Sequence, residues 1–142
     1  MARVKILLSE SSLFKTKLRV RVTDLNYGAH LSNVSILAYA HEARVQWLQS
    51  INYSETDIES LGLIQSDAEI AYKAQAYLGD ELEVEVLFGT WLSRGFDLQY
   101  AIRRLSDGAE IARVKTALIF FNYELQKMAT IPEAFKTKLP VS

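Results

Sequence analysis

Cysteine is missing from this 142-residue chain, which excludes disulfides, thiolate metal sites and a cysteine nucleophile. Histidine is scarce. His30 and His41 are the only two, so a histidine-based metal centre would have to recruit carboxylates, and neither a metal nor a cofactor is expected. Charge of one sign is also missing: 16 Lys and Arg against 17 Asp and Glu leave a formal net charge of −1. No global field draws such a chain to nucleic acid or to an anionic membrane. The longest apolar run, Ala117 to Phe121, falls far short of the roughly 20 residues that span a bilayer. At the amino terminus Arg3 and Lys5 flank a short apolar stretch that Ser9 and Glu10 interrupt, so no export signal is expected. These features predict a cytoplasmic protein folded as one domain over residues 1–142. Disorder is excluded by a composition that is 49% hydrophobic with two prolines.

What is present reads as an α+β layer. From Phe14 to Val22 apolar and basic residues alternate, with Lys15, Lys17, Arg19 and Arg21 on the outer face, which predicts a half-buried strand. The turn-rich run Asp24 to His30 breaks it, and Ser32 or Asn33 can cap a helix from about Val34 to Ser50. That helix is apolar almost all round, with Ser35, Glu42, Gln46 and Gln49 as its polar stripe, so it belongs inside something. A short helix around Thr56 to Ser60 is suggested by Ser54 and Asp57. Strands follow over about Leu63–Ala74, Glu81–Leu92, Phe96–Leu105 and Ala109–Tyr123, and an extra one is possible at Arg3–Leu8. Glycines 79, 95 and 108 stand where tight connections need positive φ. One sheet curled around one helix leaves its edges unpaired, so a homodimer or homotetramer is expected.

Phosphate-loop, dinucleotide, zinc-protease and serine-elbow motifs are all missing. Chemistry is therefore sought just before the helix, where Asp24, Asn26, Gly28, His30 and Asn33 cluster and free N–H groups can stabilise an oxyanion. The plainer reading is that Asp24 and Asn26 shape a turn, that Gly28 supplies its φ and that His30 fills a slot. Glu42, alone among carboxylates in its polar stripe, is a candidate general acid or base, or else a solvated side chain. The basic strand face, and a second group formed by Arg103, Arg104, Arg113 and Lys115, read better as solvated surface than as phosphate sites.

The run Asp24-Leu25-Asn26-Tyr27-Gly28-Ala29-His30-Leu31-Ser32-Asn33, with His41-Glu42-Ala43-Arg44 on the helix, resembles the hotdog-fold thioesterases of the 4-hydroxybenzoyl-CoA and acyl-ACP type. Weaker likeness extends over Tyr77–Val84 and Ile111–Thr116. The resemblance implies a sheet wrapped around one central helix and hydrolysis of an acyl-CoA or acyl-carrier thioester by carboxylate-activated water. It implies catalytic roles for Asn26, His30 and either Glu42 or Asp24, and substrate contacts from Tyr27, Gly28, Ala29 and Asn33. One departure stands out: the family's usual aspartate is Asn26 here, so the carboxylate must come from Glu42 or Asp24, with Glu42 favoured, or activity is lost. A non-catalytic acyl-thioester-binding dimer is the alternative. A hotdog hydratase fits less well, because its D-x-N-P-x-H spacing and proline are missing.

Overall fold

The computed structural model describes residues 4–140. Strand β1 (Ser12–Arg19) leads through a 3-10 turn at Val22–Asp24 to helix α1 (Asn33–Ser50). Strands β2 (Gly62–Tyr72), β3 (Glu81–Trp91), β4 (Gly95–Arg104), β5 (Glu110–Asn122) and β6 (Lys127–Met128) follow, and helix α2 (Glu133–Lys138) comes last. The sheet is antiparallel throughout, in the order β1-β3-β4-β5-β2, with β6 paired to β5. It curves over α1 as the expected hotdog arrangement requires.

Helix α1 starts where Ser32 Oγ accepts the Val34 N–H at 3.2 Å. It stops at Asn52, whose φ of 66° lets Tyr53 N–H reach Leu48 O at 2.8 Å and Asn52 N–H reach Gln49 O at 3.0 Å. Asn tolerates that left-handed geometry, and buried Tyr53 against Leu48 completes the cap. The sheet covers only one side of the helix. Ile36, Tyr39, Ala40, Ala43, Trp47 and Leu48 are buried, whereas Val34 is 80% exposed and Ala38 is open.

Inward residues alternate along each strand: Leu82, Val84, Val86 and Phe88 on β3 meet Phe96, Leu98, Tyr100 and Ile102 on β4. Their outward neighbours form charge ladders. Lys15, Lys17 and Arg19 stand across from Glu85, Glu83 and Glu81, pairs worth roughly 0.2–1 kcal/mol each. Arg103 reaches Glu85, Arg104 reaches Asp80 and Asp107, and Lys115 lies 3.7 Å from Asp97. Both basic groups are therefore compensated surface.

Several local expectations are corrected. Strand β1 ends at Arg19, because the 3-10 turn takes over and leaves Val22 70% exposed. No helix forms at Thr56–Ser60, because Glu59 and Ser60 adopt φ of 52° and 72°, which no right-handed helix accommodates. Val4–Leu8 is not a strand: it crosses the outer sheet face, held by Arg113 on Ile6 O and Gln99 on Leu7 O, while Arg3 lies outside the described residues. Gly79 and Gly108 do have positive φ, but Gly95 does not. Gly95 is needed for close approach, since a Cβ there would sit 1.8 Å from Leu118 O. Finally, β2 and β3 are not neighbours, so residues 73–80 carry the chain from one sheet edge towards the other.

Candidate functional site

The segment between the 3-10 turn and α1 folds back on itself. Asn26 N–H donates to His30 O at 2.9 Å and Leu25 bridges Leu31, so Asn26 and His30 face each other across a tight loop. Asn26 Oδ1 accepts the Gly28 N–H at 2.8 Å and, more weakly, the His30 N–H at 3.4 Å. Those two donors fix which end of the amide is oxygen. The Nδ2 group therefore points to His30 Nδ1, 3.3 Å away. An amide N–H can only donate, so Nδ1 accepts and the proton of the neutral imidazole sits on Nε2.

The loop's backbone also differs from expectation. Positive φ belongs to Ala29, at 65°, and not to Gly28. Gly28 is needed for room, because a Cβ would meet His30 Nε2 at 3.1 Å and Asn26 Oδ1 at 3.3 Å. Gly28 N–H is already taken by Asn26, so it is not free for an oxyanion. Tyr27 projects fully into solvent. Asn33 opens α1; with Val34 and Ser35 N–H bonded to Ser32, the Asn33 N–H remains without an acceptor among the described residues.

Asn26, His30 and Asn33 line a cavity of about 380 Å³ whose far wall is Tyr72, Lys73, Ala74 and Gln75. Leu31, Ile36, Ala76 and Ile111 form its interior. Among the described residues no carboxylate lines it. The four far-wall residues went unnoticed in the sequence, and no motif marks them. They arrive through the pairing of β2 with β5 and the crossing at residues 73–80, in which Leu31 N–H bonds Ala76 O at 2.7 Å.

Asp24 and Glu42 stand elsewhere, in a groove of about 460 Å³ between α1 and β1, lined also by Lys17, Arg21, Ala38 and Tyr39. Asp24 is buried. Its Oδ2 accepts Tyr39 Oη at 2.6 Å and Arg21 N–H at 3.0 Å, and its Oδ1 accepts Arg21 Nη2 at 3.2 Å. Burial opposes its charge, but those donors prevail and hold the carboxyl below the ordinary value. The same burial, with Asp24 as partner, pushes the Tyr39 hydroxyl well above its usual range. Asp24 O also accepts Ser32 N–H and Ser35 Oγ, so this residue ties the loop to the helix start. Glu42 is exposed, and its carboxylate accepts from Gln46 Nε2 at 2.6 Å. The structure thus brings Asn26, His30 and Asn33 together, brings Asp24 and Glu42 together, and separates the two sets within one chain.

A third set surrounds Arg44, which is 4% exposed. Its Nε donates to Glu55 at 2.7 Å and its Nη1 to Tyr100 Oη at 3.0 Å, while His41 lies 2.5 Å from the other Glu55 oxygen. Burial disfavours the Glu55 charge, yet Arg44 outweighs it and keeps that carboxyl low. Among the described residues, no three of His, Asp and Glu are grouped to hold a metal ion, and no helix is long and apolar enough to cross a membrane.

Comparison with known proteins gives a family and a shape. The model of the thioesterase-like superfamily matches residues 20–139. None of the curated proteins matches the chain by sequence. A 1,4-dihydroxy-2-naphthoyl-CoA thioesterase from Synechocystis is similar in structure, with a TM-score of 0.79 and 25% identity over 87% of this chain and 93% of that one. The PA2801 protein from Pseudomonas aeruginosa superposes with a TM-score of 0.81 at 17% identity, covering 90% of this chain and 98% of that one. The 12:0-ACP thioesterase from Umbellularia californica does so at 0.76 and 17% identity, covering 87% of this chain and 48% of that one. The last two likenesses speak for the fold alone.

Proposed function

The chain belongs to the thioesterase-like superfamily, and from that premise we propose that it hydrolyses an acyl thioester of coenzyme A or of a carrier protein. The observation that carries the reading is the Asn26–His30 pair at the mouth of a cavity with an apolar interior. The thioester carbonyl oxygen takes the His30 Nε2–H, with the Asn33 N–H as a second donor. Both are fixed before substrate arrives, which is where such donors are most effective. Water adds to the carbonyl carbon as Glu42 accepts its proton, the C–S bond then breaks, and the departing sulfur takes the proton back. The products are a carboxylic acid and a thiol, and Glu42 is regenerated.

Glu42 is favoured over Asp24 because every Asp24 oxygen is already engaged in holding Arg21 and Tyr39. Within one subunit Glu42 lies in the other groove, so the active form is a homodimer or a homotetramer in which a second copy supplies it. The open side of α1, with exposed Val34 and Ala38, and the unpaired outer edges of β1 and β2 are where that copy fits. The structural likeness to a 1,4-dihydroxy-2-naphthoyl-CoA thioesterase supports a coenzyme A substrate for this chain.

Free-thiol release from acetyl-, benzoyl- and lauroyl-CoA and from an acyl-carrier protein tests the reaction, and sedimentation velocity tests the assembly. Turnover of at least one thioester by a species of at least twice the chain mass is expected. A second reading rests on the lack of any carboxylate in the cavity. In that reading the chain binds an acyl thioester without cleaving it, and tight binding with no thiol release would establish it.

A further inference from the structure

Resting on the thioester-hydrolase reading, we infer that the acyl group is compact, a short chain or a single ring, and that long fatty chains are excluded. A cavity of about 380 Å³ is near the small end of ligand pockets. Its interior wall is closed core: Leu31 is 7% exposed, Ile36 3%, Ile111 2% and Ala76 0%. A long acyl chain would need to continue between α1 and the sheet. That gap is filled farther along by Trp47, Phe96, Phe120 and Phe135, with Phe135 centred 5.1 Å from Phe96, 5.3 Å from Phe120 and 6.4 Å from Trp47. Phe135 comes from α2, which therefore seals the end of the gap opposite the cavity.

The groove on the other flank of α1 offers no substitute, because Lys17, Arg19, Arg21, Asp24 and Glu42 line it. A second copy of the chain would pack on the open side of α1, at Val34 and Ala38, and not between α1 and the sheet. It can add walls at the cavity mouth, but the floor is this chain's own core. The rim carries Asn26, His30, Asn33, Lys73 and Gln75, which suits the polar thioester, and leaves the apolar floor for the acyl group alone.

The test measures binding and cleavage separately on the full chain. Dethia acyl-CoA analogues from acetyl to lauroyl, with benzoyl, are titrated by calorimetry, and kcat/KM is measured for the matching thioesters. Affinity should rise by about fourfold for each methylene buried and then level off at butyryl or benzoyl. Ala74→Leu, at an exposed position on the cavity wall, should weaken butyryl and benzoyl binding by about tenfold and acetyl binding by less. Affinity that keeps climbing to lauroyl, or an Ala74→Leu variant with unchanged benzoyl binding, overturns the inference. A binding plateau without any thiol release upholds the compact cavity and removes the hydrolase reading. No binding by any analogue removes the inference together with the coenzyme A form of the hydrolase reading.

Discussion

Asn26 holds His30 by its Nδ1, at 3.3 Å, with the amide oxygen turned away to accept the Gly28 N–H. Where the resembled family carries an acid, this loop carries a device that sets an imidazole tautomer. The consequence is a fixed Nε2–H donor beside the helix start, with no carboxylate among the described residues that line its own cavity.

Reversing that polarity is the direct check. In Asn26→Asp a carboxylate faces His30 and can only accept, so the imidazole proton should move to Nδ1. Nitrogen-15 chemical shifts of the two ring nitrogens should exchange character between the wild type and the variant. Identical spectra would remove Asn26 from control of the ring.

Glu42→Gln keeps shape and removes the proposed base. Turnover should fall by about 10²–10⁴-fold. Because Glu42 is exposed and bonded by Gln46 alone among the described residues, the urea midpoint should hardly move. Near-normal turnover in Glu42→Gln together with an inactive Asp24→Asn would reverse the assignment.

Ala29 sits at φ 65°, where an L-residue is strained by roughly 1–2 kcal/mol. Ala29→Gly relieves that strain and gives back part of it as entropy in the unfolded chain. A net gain of about 0.5–1 kcal/mol is expected in chemical denaturation.

Arg44 is a buried cation whose partners are Glu55, Gln65 and Tyr100. Removing one side of such a pair leaves the other uncompensated, so Glu55→Ala should destabilise by ~3 kcal/mol. The exposed His41, which also reaches Glu55, makes a useful contrast, since His41→Ala should cost under about 1 kcal/mol.

Acid should weaken the fold through Asp24 and Glu55. Both carboxyls are held below their ordinary values of 3.8 and 4.5, so each contributes stability that is fully present above those values. That contribution is lost as pH falls below about 4 and the folded-state carboxyls take up protons. Urea midpoints measured from pH 6 down to pH 2.5 should drop over this interval, and Asp24→Asn should flatten the drop while lowering stability at neutral pH.

The sequence alone determined much of what depends on local periodicity and local hydrogen bonding, though not the backbone of Thr56–Ser60 or the residue of positive φ in the Asn26–His30 loop. Alternation along Phe14–Val22 read correctly as far as Arg19, and the Ser32 cap and the glycine turns at 79 and 108 read correctly too, because each depends on residues within a few positions of one another. The clustering of Asn26 and His30 in one turn-rich run was legible for the same reason, but the hydrogen bond that pairs them came only with the folded loop. Tertiary structure decided the rest. Gly95 reads as a turn residue until Leu118 O is packed against it. Arg44 reads as the polar end of a helix motif until β2 and β4 cover it, and Lys73 and Gln75 become part of the site only when β2 pairs with β5. Asp24 and Asn26 are two residues apart, yet the 3-10 turn ending at Asp24 rotates its carboxylate beneath Tyr39 while Asn26 faces His30 in the next loop. Which way such side chains face is set by the packing of a helix against strands far away in sequence, and no local pattern encodes that.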